Sequence, residues 1–432
     1  MGIVLFVGFA FAAIGLIHFY LWKRLVKDTT QPGKWRRVGA VAALVLGLLV
    51  PATLIGTRTG VTALAWPGYL WIALMFYLLV VLLLLEIPML VIRIVLRNRA
   101  AAGPAHPADA KTAAAQSSAA TTTTTEPPPP PPTTTPTTPT TPTTPTTETP
   151  TESAGIDRRL LLARGAAIFA GLTATGITAY GTRTALSAPR LDRVQIALAK
   201  LPRAMDGFTI ATVSDIHLGP LAGRAHTQRV VDVINQTQAD LVAVVGDLVD
   251  GSVQELGAAA QPLRHIQSRH GAFFVTGNHE YYSGAEEWLA EVERLGIRTL
   301  RNQRQLITAP GGAIDLAGVN DVDGEGTSTG GPDIAGTLRD RDTTIPVVLL
   351  AHQPVQVHEA EKNGVDLQLS GHAHGGQMVP FNFLVRLQQP VVNGYAQFGD
   401  TQLYVTNGAG FWGPPVRVGA PPQVTLVELR TR

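Results

Sequence analysis

The pattern of apolar and polar positions divides the chain into distinct regimes. Three stretches, Ile3–Trp22, Val38–Gly56 and Tyr69–Ile92, are long and apolar enough to cross a bilayer as helices. A fourth, Gly165–Tyr180, is shorter and diluted by Gly and Thr. From about residue 190 the pattern changes to short runs rich in β-branched residues, each ending in polar residues. Phe208–Val213 runs into Ser214-Asp215-Ile216-His217, Leu241–Val245 into Gly246-Asp247, and Ala272–Val275 into Thr276-Gly277-Asn278-His279. Ile314–Val319 runs into Asn320-Asp321, and Val347–Ala351 into His352. Val365–Leu369 runs into Ser370-Gly371-His372-Ala373-His374, and Leu403–Val405 into Thr406-Asn407-Gly408. These runs read as buried strands. Thr227–Thr237, Glu255–His270 and Ala285–Leu295 suit helices between them. Such alternation predicts a layered α/β core, with ligands beyond the carboxyl ends of the strands.

Between the two regimes lies a low-complexity segment. Its centre, Thr121–Thr151, is almost entirely Thr and Pro, which bury no core and favour extended, semi-stiff conformations. The expected organisation is a three-helix membrane region at 1–98 and a disordered Ala/Thr/Pro linker at 99–156. A basic motif with a fourth membrane segment follows at 157–189, and an α/β domain at 190–432.

Charge orients these segments. The loop after the first span holds Lys23, Arg24, Lys27, Lys34, Arg36 and Arg37, whereas the loop after the second holds only Arg58. Arg93, Arg97 and Arg99 follow the third span, and Arg158, Arg159 and Arg164 precede the fourth. Basic loops stay inside, so a multi-pass protein of the cell membrane is expected, with everything after Tyr180 extracytoplasmic. Asp157-Arg158-Arg159-Leu160-Leu161-Leu162 resembles a twin-arginine export signal; the alternative is a pair of ordinary positive-inside anchors. Glu86, near the end of the third span, marks either a functional intramembrane acid or a contact to another helix or the interface. The net charge of +2 points to no nucleic-acid polymer. The absence of cysteine confines any metal to His, Asp, Glu or Asn.

The strand ends carry the chemistry. Asp215, Asp247, Asn278, His217, His279, His352, His372 and His374 are each unremarkable alone. Eight such residues at successive strand ends are hard to explain as turn formers or caps. Asp215 and His217 are two apart, so in an extended chain they share a face, and His372 and His374 repeat that geometry. Two such pairs with Asp247, Asn278 and His352 suffice for two divalent ions on nitrogen and oxygen ligands, among which manganese, iron and zinc all fit. Two ions a few ångströms apart clamp a phosphoester and generate a nucleophile from water. Holding them together needs a shared carboxylate, for which Asp247 is the candidate. His279 follows Asn278 directly and points elsewhere, toward substrate; it is the candidate for transition-state stabilisation and leaving-group protonation. Asp250 and Glu280 either shape turns or support the ligands from behind. His18, His106, His226, His265, His270 and His358 read as structural or surface residues.

Asp215-x-His217, Gly246-Asp247-x-x-Asp250, Gly277-Asn278-His279-Glu280, His352 and Gly371-His372-x-His374 together resemble, in order, the motifs of calcineurin-like metallophosphoesterases. The resemblance covers about residues 205–430. It implies a β-sandwich flanked by helices, here preceded by an all-α transmembrane region. It further implies one metal on Asp215, His217, Asp247 and His374, another on Asp247, Asn278, His352 and His372, and His279 as the catalytic histidine. The basic anchor, Gly371-His372-Ala373-His374-Gly375-Gly376-Gln377 and the Gly408–Pro415 loop look most like a bacterial membrane-anchored branch of phosphodiesterases. The expected partners are the bilayer and a phosphoester, lipid-linked or nucleotide. Phe381, Phe383 and Leu384, with Phe411 and Trp412, suit contact with a lipid surface, or else serve as core or a subunit contact. The competing function is a membrane scaffold that senses phosphate without turnover.

Overall fold

The computed structural model describes residues 2–101 and 158–432. The expected linker therefore lies outside the described residues, apart from 99–101, which end a helix.

Among the described residues, four helices are long and apolar enough to cross a membrane: α1 (Gly2–Trp22), α2 (Lys34–Arg58), α3 (Ala65–Ala101) and α4 (Arg158–Leu186). The fourth is 29 residues long, well beyond the apolar stretch that marks it in the sequence. Successive helices pack side by side, and basic residues gather at one end of the group. There Arg164 Nε donates to the Thr29 carbonyl at 3.1 Å. Glu86 of α3 makes a helix-to-helix contact. It pairs with Arg24 Nε at 2.8 Å and accepts from the Tyr20 hydroxyl at 2.9 Å. Taking a carboxylate out of water is costly, and this guanidinium offsets much of that cost.

The rest of the chain is a two-sheet sandwich. The first sheet runs β1 (Arg190–Leu198), β12 (Gln423–Thr431), β2 (Thr209–Val213), β3 (Leu241–Val245), β4 (Ala272–Val275) and β5 (Arg298–Thr299). The second runs β10 (Gly394–Phe398), β11 (Thr401–Val405), β9 (Leu367–Ser370), β8 (Val347–Leu350), β7 (Gly312–Gly318) and β6 (Gln303–Ala309). β2, β3, β4 and β5 are mutually parallel, as are β7, β8, β9 and β11. Both groups therefore bring their carboxyl ends together within their sheets.

The apolar runs are continuous because both faces of each inner strand are covered. Ala243 and Val245 of β3 face the layer between the sheets, with Ile210, Phe273, Val348, Leu350, Leu367 and Leu369. Val242 and Val244 face the opposite way, with Phe274, toward α5 (Arg224–Gln236), α6 (Val253–Ala260) and α8 (Ala285–Arg294). There Val230, Ile234, Trp288, Leu289 and Val292 meet them. The short helices α7 (Asn278–Ser283), α9 (Ile334–Thr337), α10 (Val357–Lys362) and α11 (Asn382–Val385) lie in the connections.

Two expectations shift. The helix expected at Glu255–His270 begins at Val253, because Ser252 and Glu255 form a capping box, and ends at Ala260. Pro262 lacks an amide hydrogen, and the chain continues as a 3₁₀ turn, Gln261–His265. The edge strands β1, β5, β6 and β10, and β12 inside the first sheet, match none of the apolar runs. β1 and β12 alternate rather than run continuously apolar, and β12 inserts between β1 and β2 from the far end of the chain.

The sandwich docks onto the long apolar helices through its carboxyl-end loops. Met378 and Val416 share an apolar cluster with Ala73, Tyr77 and Leu78 of α3 and Ala174 of α4. The Arg417 amide donates to the Gly181 carbonyl of α4 at 2.9 Å. Phe381 meets Phe76 of α3 edge to face, centroids 6.4 Å apart.

Candidate metal centre

Every expected ligand lies just beyond the carboxyl end of a strand, Asn278 as the first residue of α7. Asp215 and His217 follow β2, Asp247 follows β3 and Asn278 follows β4; His352 follows β8, and His372 and His374 follow β9. Backbone bonds knit these loops together. The Asp215 amide donates to the Gly246 carbonyl at 3.0 Å, His217 to Asp247 at 3.1 Å, and Gly371 to His352 at 3.0 Å. The His372 amide donates to Asp215 Oδ1 at 3.0 Å.

The local conformation corrects one step of the sequence argument. The ligand pairs do not sit on extended chain. Asp215, His217, Asp247, His372 and His374 all have positive φ, between 48° and 66°. A left-handed non-glycine residue costs on the order of 1–3 kcal/mol, and such residues concentrate at functional sites. The pairs converge because the chain coils tightly after each strand. Gly277 makes this approach possible: a Cβ there would collide with Asp247 Oδ1.

The side chains close into overlapping groups. Asp215, His217 and His374 form one and Asp247, His352 and His372 another; His217, Asp247 and His279 lie between them. His217 Nε2 is 3.0 Å from His374 Nε2, and Asp215 Oδ1 is 3.4 Å from His374 Nε2. Asp247 Oδ2 lies 3.1 Å from His352 Nε2 and 3.7 Å from His217 Nε2, so this one oxygen reaches toward both outer groups. Asn278 Oδ1 is 3.0 Å from His372 Nδ1. All seven expected ligands are thus brought together, with His279 beside them, its Nε2 4.0 Å from Asp247 Oδ2.

The outer contacts leave these nitrogens suited to a cation. His352 Nδ1 faces the Val245 carbonyl at 2.8 Å and so carries the ring hydrogen. Its Nε2 is buried and aimed at Asp247 Oδ2, 3.1 Å away. His217 Nδ1 faces Asp250 Oδ1 at 3.0 Å in the same sense. A neutral imidazole whose far nitrogen donates to an acceptor presents its near lone pair to a metal. The donor set fits divalent ions.

Electrostatics agree. Burial disfavours a proton on His217, but Asp250, Asp247 and Asp215 outweigh it and raise its pKa to about 9. His352 is likewise held well above the usual range against burial, chiefly by Asp247. Asp247 is held well below the carboxylate range despite burial, mainly by His352. Burial and the neighbouring His352 depress His372 to about 3. A concentration of carboxylates retains protons on some histidines and leaves others neutral, which is what a cation site does when protons stand in for metal.

Glu280 and Asp250 lock this arrangement from behind. Glu280 is fully buried and accepts the amides of Asp247 at 3.0 Å, Leu248 at 2.7 Å and Gly277 at 2.7 Å. It thus ties the Asp247 loop to the Asn278 loop. Asp250 accepts from both His217 and His279, the latter at 2.6 Å.

Residues 208–376, which carry all of these groups, match the family described as calcineurin-like phosphoesterase. An uncharacterized metallophosphoesterase of Aquifex aeolicus is 34% identical over 244 residues, covering 56% of this chain and 92% of that one. The chain belongs to the calcineurin-like metallophosphoesterases. A Helicobacter pylori metallophosphoesterase, also uncharacterized, is 38% identical over 246 residues, 56% of this chain and 65% of the relative. A Danio rerio transmembrane protein with metallophosphoesterase domain is 35% identical over 263 residues, 59% of this chain and 60% of the relative. The chain thus spans 60–65% of the length of these two relatives.

In this metallophosphoesterase other residues border the centre that the motifs did not assign to it. Arg417 reaches the back of His374 from a loop with no metal-binding pattern, Pro414-Pro415-Val416-Arg417. Asp321 is buried, and burial lifts its pKa to about 6; Gln353 Nε2 donates to it at 2.9 Å. Tyr282 and Trp412, both more than half exposed, flank His279 with ring centroids at 5.6 and 6.3 Å. Phe411, grouped with Trp412 in the sequence reading, is instead buried with Ala185 and Ala222.

Proposed function

We propose that this metallophosphoesterase is a membrane-anchored phosphodiesterase holding two divalent ions, which acts outside the cytoplasm on phosphoesters presented at the membrane. The position of Asp247 carries the two-ion reading: its Oδ2 reaches both His352 and His217, as a shared ligand must. Asp215, His217 and His374 would complete one shell, and Asn278, His352 and His372 the other. Bound ions supply Lewis acidity and a nucleophilic hydroxide. His279 stands outside both shells and protonates the departing oxygen, while Asp250 fixes its ring through Nδ1. Tyr282 and Trp412 border the side from which the leaving group departs.

The bundle supports an extracytoplasmic site. Tyr69, near the start of α3, lies against Gly413, and Gly181, near the end of α4, holds Arg417; these helix ends meet the catalytic loops. The basic residues between α1 and α2 sit at the opposite end, joined there by Arg164, in keeping with the rule for cytoplasmic loops. Arg158 and Arg159 open α4, where a twin-arginine signal would precede its apolar segment.

A lipid-linked substrate is favoured by the exposed apolar side chains of the segment 381–387. Phe381, Phe383, Leu384 and Leu387 are 41–84% exposed. Phe381 contacts Phe76, about 10 Å further along α3 than Tyr69 at 1.5 Å per residue. This loop therefore runs beside the apolar surface of a spanning helix, where exposed aromatic and aliphatic groups meet acyl chains.

The test uses the full chain in lipid nanodiscs with manganese. Phe381→Ser with Phe383→Ser should retain hydrolysis of a small soluble diester and lose at least tenfold on a phospholipid or lipid-linked nucleotide diester. Unchanged lipid activity overturns the lipid assignment. Absence of turnover by metal-loaded protein on a broad phosphoester panel overturns the enzyme and leaves a phosphate-sensing scaffold. Reporter fusions after Tyr180 decide the side of the membrane.

A further inference from the structure

Arg417 is fully buried, yet among the described residues no carboxylate pairs with it. Its two terminal nitrogens donate to backbone carbonyls, while its buried Nε has no hydrogen-bond partner. Nη1 donates to the His374 carbonyl at 2.8 Å and lies 3.3 Å from that ring's Nδ1. Nη2 donates to the carbonyls of Asn407 and, at 3.0 Å, Gly408. A buried cation is expensive, and planar five-donor geometry is the asset that sets Arg apart from Lys.

The carbonyls it selects belong to two loops of the metal centre. The first is the turn through His372, His374 and Gln377, where three non-glycine residues hold positive φ. The second is the loop after β11, which binds the backbone beneath the other ligand pair: the Ala409 amide donates to Ser214 at 2.9 Å and Gly410 to Asp215 at 2.8 Å. Arg417 therefore clamps the loop of one ligand pair to the loop supporting the other. Its own amide, in turn, is bonded to Gly181 in α4. Gly181 is packed closely there: a Cβ would collide with Val416 and Val418 on either side of Arg417.

We infer that Arg417 is a positioning residue for His374, and that α4, gripping Arg417 through Gly181, sets the geometry of the metal centre as well as anchoring the domain. The inference rests on the two-ion reading of the site. It makes the membrane helix a structural part of that site, so a shift of α4 along its axis reaches His374 through one guanidinium.

Manganese binding, read without substrate, separates the inference from the enzymatic reading. The full-length protein in nanodiscs is titrated with Mn²⁺ by calorimetry, and coupling between the two ions is followed by electron paramagnetic resonance. Arg417→Met should weaken one of the two ions by about 10–100-fold, the range for loss of a group supporting a ligand, and reduce the spin-coupled signal. Arg417→Lys, which keeps charge and some donation, should recover part of it. Gly181→Val should weaken the same ion, whereas Gly171→Val, on the same helix with nothing within 4 Å, should not. Thermal melts of the metal-free variants establish that each is folded; if Arg417→Met is not, Arg417→Lys and Gly181→Val decide. Wild-type affinity and coupling in folded Arg417→Met and Arg417→Lys overturn the positioning role. Wild-type behaviour in Gly181→Val overturns the part assigned to α4. If wild-type protein itself takes up no second ion, the two-ion reading fails instead.

Discussion

Asp250 holds His279 through a 2.6 Å hydrogen bond from Nδ1 to Oδ1. The same oxygen takes His217 Nδ1 at 3.0 Å. One carboxylate thus orients an expected metal ligand and the expected catalytic histidine together, and its charge favours the Nδ1–H form of both rings. Asp250→Ala should therefore weaken metal binding and lower kcat, each by about 10–100-fold. A variant that loses activity but keeps wild-type manganese affinity would confine Asp250 to His279.

His279 can be separated from the ligands by the same logic. Its Nε2 is 4.0 Å from Asp247 Oδ2, within range of a cation but not enclosed like His352. His279→Ala is expected to retain its full metal complement while kcat falls by about 10²–10⁴-fold, the usual contribution of a general acid. The loss should be smaller on diesters with a good leaving group such as p-nitrophenolate, which needs little protonation. Loss of one ion, measured by elemental analysis, would make His279 a ligand.

Proton release should accompany metal uptake. In the metal-free protein His217 has a pKa of about 9 and His352 lies well above the normal range, so both are protonated at neutral pH. Each must lose its proton to present a lone pair. Raising the pH toward 9 lessens that competition, so affinity should increase with pH by up to roughly tenfold per unit for each proton displaced. Calorimetry in buffers of differing ionisation enthalpy counts those protons; pH-independent affinity between 6 and 9 would refute the assignment.

Glu280 offers a stability test away from substrate. Its carboxylate accepts three buried amides, those of Asp247, Leu248 and Gly277. Glu280→Gln puts a donor where the fold requires an acceptor, and an unsatisfied buried group costs about 1–3 kcal/mol. Denaturant unfolding of the metal-free protein should show a loss of that order. Because Glu280 joins the Asp247 and Asn278 loops, the ion those residues share should also bind more weakly.

Much of this architecture is local in origin. A continuous apolar run of four to six residues is legible as a buried strand without knowing its neighbours, and β3 and β4 fall where such runs predict. The chemically committed residue after each run is equally local, so the residues that gather in the candidate centre can be picked out from spacing. The long apolar stretches announce helices long and apolar enough to cross a membrane for the same reason: length and hydropathy are properties of composition. The Pro262 break and the Ser252 cap were also written locally, in residues whose backbone chemistry ends or begins a helix.

What depends on partners distant in the chain was decided only by the tertiary structure. β12 pairs with β1 although Arg190 and Gln423 are far apart in sequence, and nothing in either alternating strand names the other. Asp215 and His217 meet His374 through left-handed turns, a conformation that propensity disfavours and only surrounding contacts sustain. Arg417 carries no mark of its role in the sequence Pro-Pro-Val-Arg; burial among the carbonyls of two loops and the grip of Gly181 create it. Residue type and spacing set which groups can bind a cation, whereas folding sets their distances and tautomers, because both arise from through-space contacts that the linear chain does not contain.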